Sequence, residues 1–263
     1  MRSRLLRPLA VLVAAAMFLA VATLSSGAAP GHKPKVLRIL VTNDDGVTAP
    51  GIDALVEGLR DLSRVKVTVV APAANQSGTG AQTTAGELVT TETTTAGGYP
   101  AIAVEGFPAD TVNFALDGGI PKIPHVVVSG VNQGQNLGPV FTVSGTVGAA
   151  RTAVGRGIPG VAVSAGLGDS PDYAAGVDEA ITWVKQHRKE LVKDDDPTNV
   201  VNINVPTCAA GEIRGLVEVP AAPTGDALAA VDCTSTLEDP TDDLIAFTNG
   251  FATLSKIPPD GPT

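Results

Sequence analysis

The hydrophobic and polar positions between residues 36 and 206 alternate short apolar runs with amphipathic segments. Residues 36–43 form a largely apolar run without strict alternation, which is typical of a strand covered on both faces. Residues 50–62 then place their apolar side chains on one face of a helix, and residues 66–71 form a second apolar run. This order predicts a right-handed βαβ unit and therefore a parallel sheet.

The same alternation continues beyond the first unit. An excursion, with a small hairpin, is expected at 73–98 because this stretch is rich in Thr, Gly and Ser. Further strands are expected at 101–104, 125–130, 160–164 and 199–205, and helices at 108–116, 144–156 and 172–193. In the C-terminal part, which is rich in Pro, Asp and Thr, strands are expected at 213–219, 243–248 and 251–256.

These elements predict an α/β fold. We expect a three-layer α/β/α, Rossmann-like sandwich with a mostly parallel sheet in a core of residues 36–206. Residues 207–263 are expected to form a β-rich C-terminal appendage of the same domain, which spans 36–263.

The N-terminal segment has the layout of a secretory signal peptide. Basic residues up to Arg7 precede an apolar stretch at 9–24, and small residues at Ala28-Ala29 offer a cleavage site. The stretch is shorter than the roughly 20 residues of a membrane span, although an uncleaved anchor is the alternative. We therefore predict a signal peptide at 1–29, a linker at 30–35, and an extracytoplasmic or secreted protein cleaved near Ala28-Ala29.

The net charge and the cysteine content argue against several kinds of partner and active site. The net charge of −9 makes a nucleic-acid polymer or an anionic membrane surface an unsuitable partner. Cys208 and Cys233 are the only cysteines, and in an exported protein they predict a disulfide, with two buried thiols as the alternative. Neither cysteine has a neighbouring His, and the three histidines are scattered, so thiol catalysis and a histidine metal site are not indicated.

Two adjacent carboxylates, Asp44 and Asp45, stand where the first predicted strand ends, followed by Gly46. Neighbouring side chains on a strand point to opposite faces, so the two acids converge only if the chain bends there, as Gly46 permits. Converging carboxylates repel each other unless a cation lies between them, and an oxygen-preferring divalent ion suits that place. The alternative is a turn in which one Asp caps the next helix.

Other polar, glycine-flanked segments are predicted at the same edge of the sheet. Ligands of open parallel sheets bind at the carboxyl ends of the strands. Two carboxylates with the neutral ligands Ser77 and Asn132 would leave a dication able to attract an anion. The helix start at Ser144-Gly145-Thr146 offers free backbone N–H groups that suit a phosphate. The combination indicates phosphoester hydrolysis by a metal-activated water.

These residues lie in motifs that resemble the SurE family of survival-protein 5′/3′-nucleotidases. The resemblance is continuous from about residue 37 to 206. The motifs begin at Asn43, Ala49, Ala71, Gly106, Val128, Ser144 and Asn202, and they include Ser77-Gly78, Asp110, Asn132, Asn136-Leu-Gly138 and Pro206.

The resemblance implies hydrolysis of nucleoside monophosphates with one Mg²⁺ or Mn²⁺ per subunit. It implies metal ligands at Asp44, Asp45, Ser77 and Asn132, with catalytic roles for both acids and Asn136. Phosphate or substrate contacts are expected at Asn43, Asn136, Ser144, Gly145 and Thr146. A homodimer or homotetramer is expected as well.

Some positions depart from the family pattern. Gln76 stands where Arg is common, and residues 139–143 lack the usual acidic residues and Tyr.

There are two alternatives to an enzyme. One is a response-regulator receiver, which would need an Asp near Ser129-Gly130. The other is an exported pocket that binds nucleotide or phosphate without significant turnover.

Overall fold

The structure is a computed structural model that describes residues 35–168, 170–193 and 197–260. The predicted signal peptide and all of the linker except Lys35 lie outside these residues. The strands are β1 (Leu37–Thr42), β2 (Val65–Pro72), β3 (Thr90–Thr94), β4 (Pro100–Val104), β5 (Val126–Gln133), β6 (Gly160–Ala165), β7 (Val200–Val205), β8 (Leu216–Glu218) and β9 (Ala252–Ile257). The helices are α1 (Pro50–Arg60), α2 (Pro108–Phe114), α3 (Gly145–Gly155), α4 (Tyr173–Gln186), α5 (Arg188–Leu191) and α6 (Asp243–Thr248).

The strands form a nine-stranded sheet in the order β3-β4-β2-β1-β5-β6-β7-β9-β8. Every pairing from β4 to β7 is parallel, as the βαβ pattern predicted. Antiparallel pairing occurs at the two flanks, where β3 pairs with β4 and β9 pairs with β7. Strand β3 lies in the excursion expected at 73–98, and it forms a hairpin with β4, the strand expected at 101–104, rather than within the excursion. The mostly parallel α/β fold is thus confirmed.

Helices cover both faces of the sheet. On one face, α1 and α4 pack against side chains such as Ile39 and Val41, and on the other α2 and α3 pack near Leu40. Successive residues of β1 therefore bury their side chains in opposite layers, which explains its continuous apolar run. No helix within the described residues is long and apolar enough to span a bilayer.

Three predicted elements need correction. Residues 243–248 form α6 rather than a strand, because the Asp242 carboxylate accepts the Ile245 N–H at 2.9 Å and caps a helix. The helix predicted at 172–193 ends at Gln186, and α5 follows after His187. The strand predicted to end at Gly130 continues to Gln133, so Asn132 lies on β5 and not in a loop.

The predicted C-terminal appendage is part of the main sheet. Strand β9 extends the sheet beyond β7, and β8 pairs with β9 at the edge. A disulfide joins the predicted pair Cys208 and Cys233, with 5.8 Å between their Cα atoms. The sheet therefore holds the segment between β7 and β9 at both of its ends, and the disulfide closes a loop within the segment.

Candidate active site

The acid turn, residues 43–46, follows β1 directly. Gly46 has a φ of 105°, a backbone conformation that favours glycine and that turns the chain out of the strand. The Asn43 side-chain NH₂ donates to the Gly46 carbonyl at 2.8 Å and closes the turn. Asp44 is buried, with 2% of its surface exposed, and Asp45 is half-buried. The bend thus brings both carboxylates to the carboxyl edge of the sheet.

Neither acid caps α1. The residue that precedes this helix is Ala49, and no side chain caps the helix there. Instead, the Thr146 hydroxyl donates to Asp44 Oδ1 at 2.5 Å, and the Gln133 N–H donates to Asp45 Oδ2 at 3.2 Å. The two carboxylates are therefore oriented by the start of α3 and the end of β5, which excludes the simple helix-capping interpretation.

Burial is the largest cause of the raised pKa values of Asp44 and Asp45. It raises the pKa of Asp44 to about 6; the Thr146 hydrogen bonds oppose this rise and the charge of Asp45 adds to it. Burial likewise raises the pKa of Asp45, against the hydrogen bond from Gln133. Two acids held together in a partly desolvated place favour a cation, which would offset both effects.

The loop after β2 packs against the acid turn. The Gln76 N–H donates to the Asp44 carbonyl at 2.7 Å, and a Cβ on Gly46 would lie 3.2 Å from the carbonyl carbon of Ala74. Ser77, one residue further, is exposed, and its N–H donates to Asn75 Oδ1 at 3.0 Å. The loop that carries the predicted ligand Ser77 is thus in contact with the acid turn.

Asn132 reaches the same edge from β5. It is 8% exposed, and its side-chain NH₂ donates to the Gly134 carbonyl at 2.6 Å. The neighbouring Gln133 is the residue whose N–H holds Asp45. The four predicted ligands are therefore carried by segments in direct contact, and all of them supply oxygen, the atom that Mg²⁺ and Mn²⁺ prefer. No cluster of three or more His, Cys, Asp or Glu residues occurs in the described part of the chain.

The start of α3 lies against Asp44. A Cβ on Gly145 would stand 2.7 Å from the Asp44 Cβ and 2.9 Å from its Oδ2, so only glycine permits this approach. The Ser144 hydroxyl accepts the Val147 N–H at 3.1 Å and caps the helix. Both Ser144 and Thr146 are buried, and their hydroxyls serve the helix and Asp44. A phosphate contact of these residues stays a prediction.

Two residues predicted to contact the substrate, Asn43 and Asn136, donate their side-chain hydrogen bonds to other parts of the protein. Asn43 is fully buried, and its side-chain NH₂ closes the acid turn, so a substrate contact of Asn43 stays a prediction. Asn136 is 5% exposed, and its side-chain NH₂ donates to the Ser164 hydroxyl at 2.9 Å. Its donor group is thus engaged inside the protein, and a direct role in catalysis or beside the phosphate stays a prediction.

Sequence reasoning missed the residues that hold the loop around Asn136. Asn204 Oδ1 accepts the Asn136 N–H at 2.6 Å, and the Asn202 NH₂ donates to the Asn136 carbonyl at 2.8 Å. A signal was present, because alternate residues of a strand face the same side and these two asparagines interrupt an apolar run. Asp243, which accepts the Gly138 N–H at 2.9 Å, left no such signal.

Comparison with known proteins places this site in a family. The family model of the survival protein SurE matches residues 39–224. The chain belongs to the SurE family. The match includes the acid turn, the loop after β2, Asn132 and the start of α3. Family membership thus agrees with the resemblance inferred from the motifs.

Curated relatives named 5′-nucleotidase SurE share this region. One from Methanopyrus kandleri is 39% identical over 65% of this chain and 66% of its own length. One from Geobacter sulfurreducens is 42% identical over 69% of this chain and 66% of its own length. The chain therefore spans about two thirds of the length of these SurE relatives. Among solved structures, the SurE protein from Aquifex aeolicus matches with a TM-score of 0.68 and 28% identity, over 85% of this chain and 94% of that one.

Proposed function

We propose that this SurE-family protein is a metal-dependent phosphomonoesterase that hydrolyses nucleoside monophosphates, a 5′/3′-nucleotidase. Relatives at about 40% identity carry the name 5′-nucleotidase SurE, and they support this class of enzyme. The observation that carries the proposal is the convergence of the acid pair, of which Asp44 is buried, with the start of α3, where Thr146 and Gly145 lie against Asp44.

We assign Asp44, Asp45, Ser77 and Asn132 as the ligands of Mg²⁺ or Mn²⁺. The buried pair fits a dication, because burial has already raised the pKa of both acids and a cation would compensate that cost. When bound, the metal supplies Lewis acidity toward a phosphoryl oxygen and lowers the pKa of a water molecule. The Thr146 hydroxyl and the Gln133 N–H keep the two carboxylates oriented for this task.

The start of α3 gives the site its second attractive element. A helix N-terminus presents backbone N–H groups and the positive end of the helix dipole, which together favour a phosphate dianion. The Ser144 cap fixes the first turn, and Gly145 brings the backbone next to Asp44. This end of the helix therefore stabilises the negative charge that develops on the phosphoryl oxygens during hydrolysis.

The test is steady phosphate release from AMP by the purified protein. Release should occur with Mg²⁺ or Mn²⁺, stop on adding EDTA, and return when excess metal is restored. A protein that binds AMP but releases no phosphate at any metal concentration would instead be a binding module. Calorimetry of metal binding to wild type and to Asp45→Asn gives a readout that does not depend on activity.

We also propose a cellular location and an oligomeric state for this protein. The Cys208–Cys233 disulfide supports an extracytoplasmic location, where disulfides form and persist. Cell fractionation and N-terminal sequencing should find a chain that starts near Pro30. The family resemblance supports a homodimer or homotetramer, which light scattering of the purified protein would test.

A further inference from the structure

A cavity of about 350 Å³ opens beside the acid turn, between the loop after β2 and the turn that joins β4 to α2. Its walls include Ala74, Gln76, Thr84, Glu105 and Phe107. A volume of this size lies within the range of small-molecule sites, about 300–1,000 Å³. None of the residues assigned to the metal or to the phosphate lines it.

The cavity adjoins the proposed phosphate site on two sides. Gln76 lines the cavity, and its backbone N–H donates to the Asp44 carbonyl at 2.7 Å. Phe107 lines the opposite wall, and the next residue, Pro108, would lie 3.1 Å from a Cβ on Gly145. If the phosphate of a ligand binds at the start of α3, the remainder of that ligand can therefore reach this cavity.

One buried carboxylate ties the two walls together. Asp110 is 3% exposed, and it accepts hydrogen bonds from the Phe107 N–H at 2.9 Å, the Thr84 N–H at 3.0 Å and the Thr84 hydroxyl at 2.7 Å. A Cβ on Gly106 would stand 2.7 Å from Asp110 Oδ2, so the turn needs its glycine. The walls are thus held in place before any ligand binds, which lowers the entropic cost of binding.

The side chains that line the cavity favour some leaving groups over others. Phe107 is half-buried and offers an aromatic surface, Gln76 a neutral amide, and Glu105 an exposed carboxylate. An aromatic ring stacks on a nucleobase, a carboxylate accepts a hydrogen bond from an exocyclic amine, and its charge repels additional phosphates. A nucleobase with an amino group matches all three side chains, whereas a bare sugar phosphate would leave the aromatic surface unused.

We propose that this cavity binds the base of a nucleoside monophosphate, and that Phe107 and Glu105 determine the preference for amino-bearing bases. The inference rests on the proposed nucleotidase function, and it adds the part of the molecule that recognises the leaving group.

The first experiment compares AMP with ribose 5-phosphate, which lacks the base. The ratio of their kcat/KM values should fall about tenfold in Phe107→Ala, as expected for the loss of one stacking contact. Phe107→Leu is the matched control, because it keeps apolar volume without an aromatic surface. If Phe107 only packs, Leu restores the wild-type ratio, and that result would overturn the proposal; a ratio that stays low supports stacking.

The second experiment compares AMP with IMP, in which a carbonyl replaces the amino group. The wild type should prefer AMP, and Glu105→Gln should bring the two kcat/KM values closer together. An unchanged AMP/IMP ratio in this variant would remove Glu105 from base recognition.

A third measurement separates this inference from the proposed function. Adenosine binding, followed by NMR without metal, needs neither a phosphate nor turnover. Binding to the wild type that weakens in Phe107→Ala supports the base cavity even if no substrate is hydrolysed. Equal binding to both proteins, or no binding to the wild type, overturns the cavity assignment while AMP hydrolysis itself could still stand.

Discussion

Two loops meet at the carboxyl edge of the sheet, and they are held in different ways. The acid turn, residues 43–46, closes on itself through the hydrogen bond from Asn43 to Gly46. The amide loop, residues 134–138, has its backbone held by residues far away in the chain, including Asn204 and Asp243. The bend of the first loop therefore has a local cause in the sequence, with Gln76, Thr146 and Gln133 as additional supports, whereas the second loop depends on the C-terminal segment.

The C-terminal support of the amide loop is extensive. Asp243 is fully buried, and its carboxylate accepts the Gly138 N–H at 2.9 Å and the Ala222 N–H at 2.8 Å. The Gln135 side chain donates to the Ala227 carbonyl at 2.6 Å, and Leu137 belongs to an apolar cluster that contains Leu244. Acid-turn variants should thus affect chemistry with the fold intact, and variants in the amide-loop support should affect stability first.

The largest effect is expected for Asp44→Asn. Loss of one charge from the proposed metal site should lower kcat/KM for AMP by at least about 10³-fold, while circular dichroism stays native. Near wild-type turnover at saturating Mg²⁺ or Mn²⁺ would contradict the metal assignment.

The same variant should change how stability depends on pH. In the metal-free wild type the folded pKa of Asp44 is raised from 3.8 to about 6, so stability falls as the pH rises through about 6. A shift of that size corresponds to about 3 kcal/mol. Asp44→Asn should lack this decrease in chemical-denaturation curves measured at pH 4 and pH 7 without metal, and an identical decrease in both proteins would contradict the assigned pKa.

Gly145→Ala is the next largest perturbation. The added Cβ would press on Asp44 and on the start of α3, so both metal affinity and turnover should decrease, with turnover lower by about 10²–10³-fold. Gly155→Ala is a matched control in the same helix, because an added Cβ meets no atom within 4 Å there. Equal activity of the two variants would show that the close approach at Gly145 has no functional role.

Asp243→Ala tests the support of the amide loop. It leaves the Gly138 and Ala222 N–H groups buried without their acceptor, at about 1–3 kcal/mol for each. We expect a lower free energy of unfolding and a raised KM, measured by urea denaturation and by AMP hydrolysis. Asp239→Ala, at an exposed position of the same segment, is the control and should leave both quantities near wild type.

The smallest of these effects is expected for removal of the disulfide. Cys208→Ser with Cys233→Ser should lower stability by about 3 kcal/mol while the acid turn and the metal affinity stay unchanged. Melting curves and metal calorimetry of the double variant check both parts. A loss of metal binding as large as that of Asp44→Asn would contradict the separation of the two loops.

This difference also explains what the sequence could predict. The parallel sheet, the acid turn and the helix start at Ser144 follow from apolar periodicity and short-range chemistry, and the structure has all three. The support of the amide loop by Asp243 could not be predicted, because the sequence pattern indicates a strand at residues 243–248 and a strand would place Asp243 elsewhere. The helix-capping carboxylate of Asp242 was the overlooked local signal.

The pairing of β1 with β5 joins Ile39 to Val126, across three intervening strands of the same sheet and two helices. Closing such a long loop lowers the chain entropy before the new contacts stabilise the fold, so sheets of this kind fold slowly. The acid turn can form early in the nascent chain, but Gln133 and Thr146 reach the two carboxylates only after this closure. Metal affinity should therefore appear late during refolding, in step with the slowest phase that reports on the sheet.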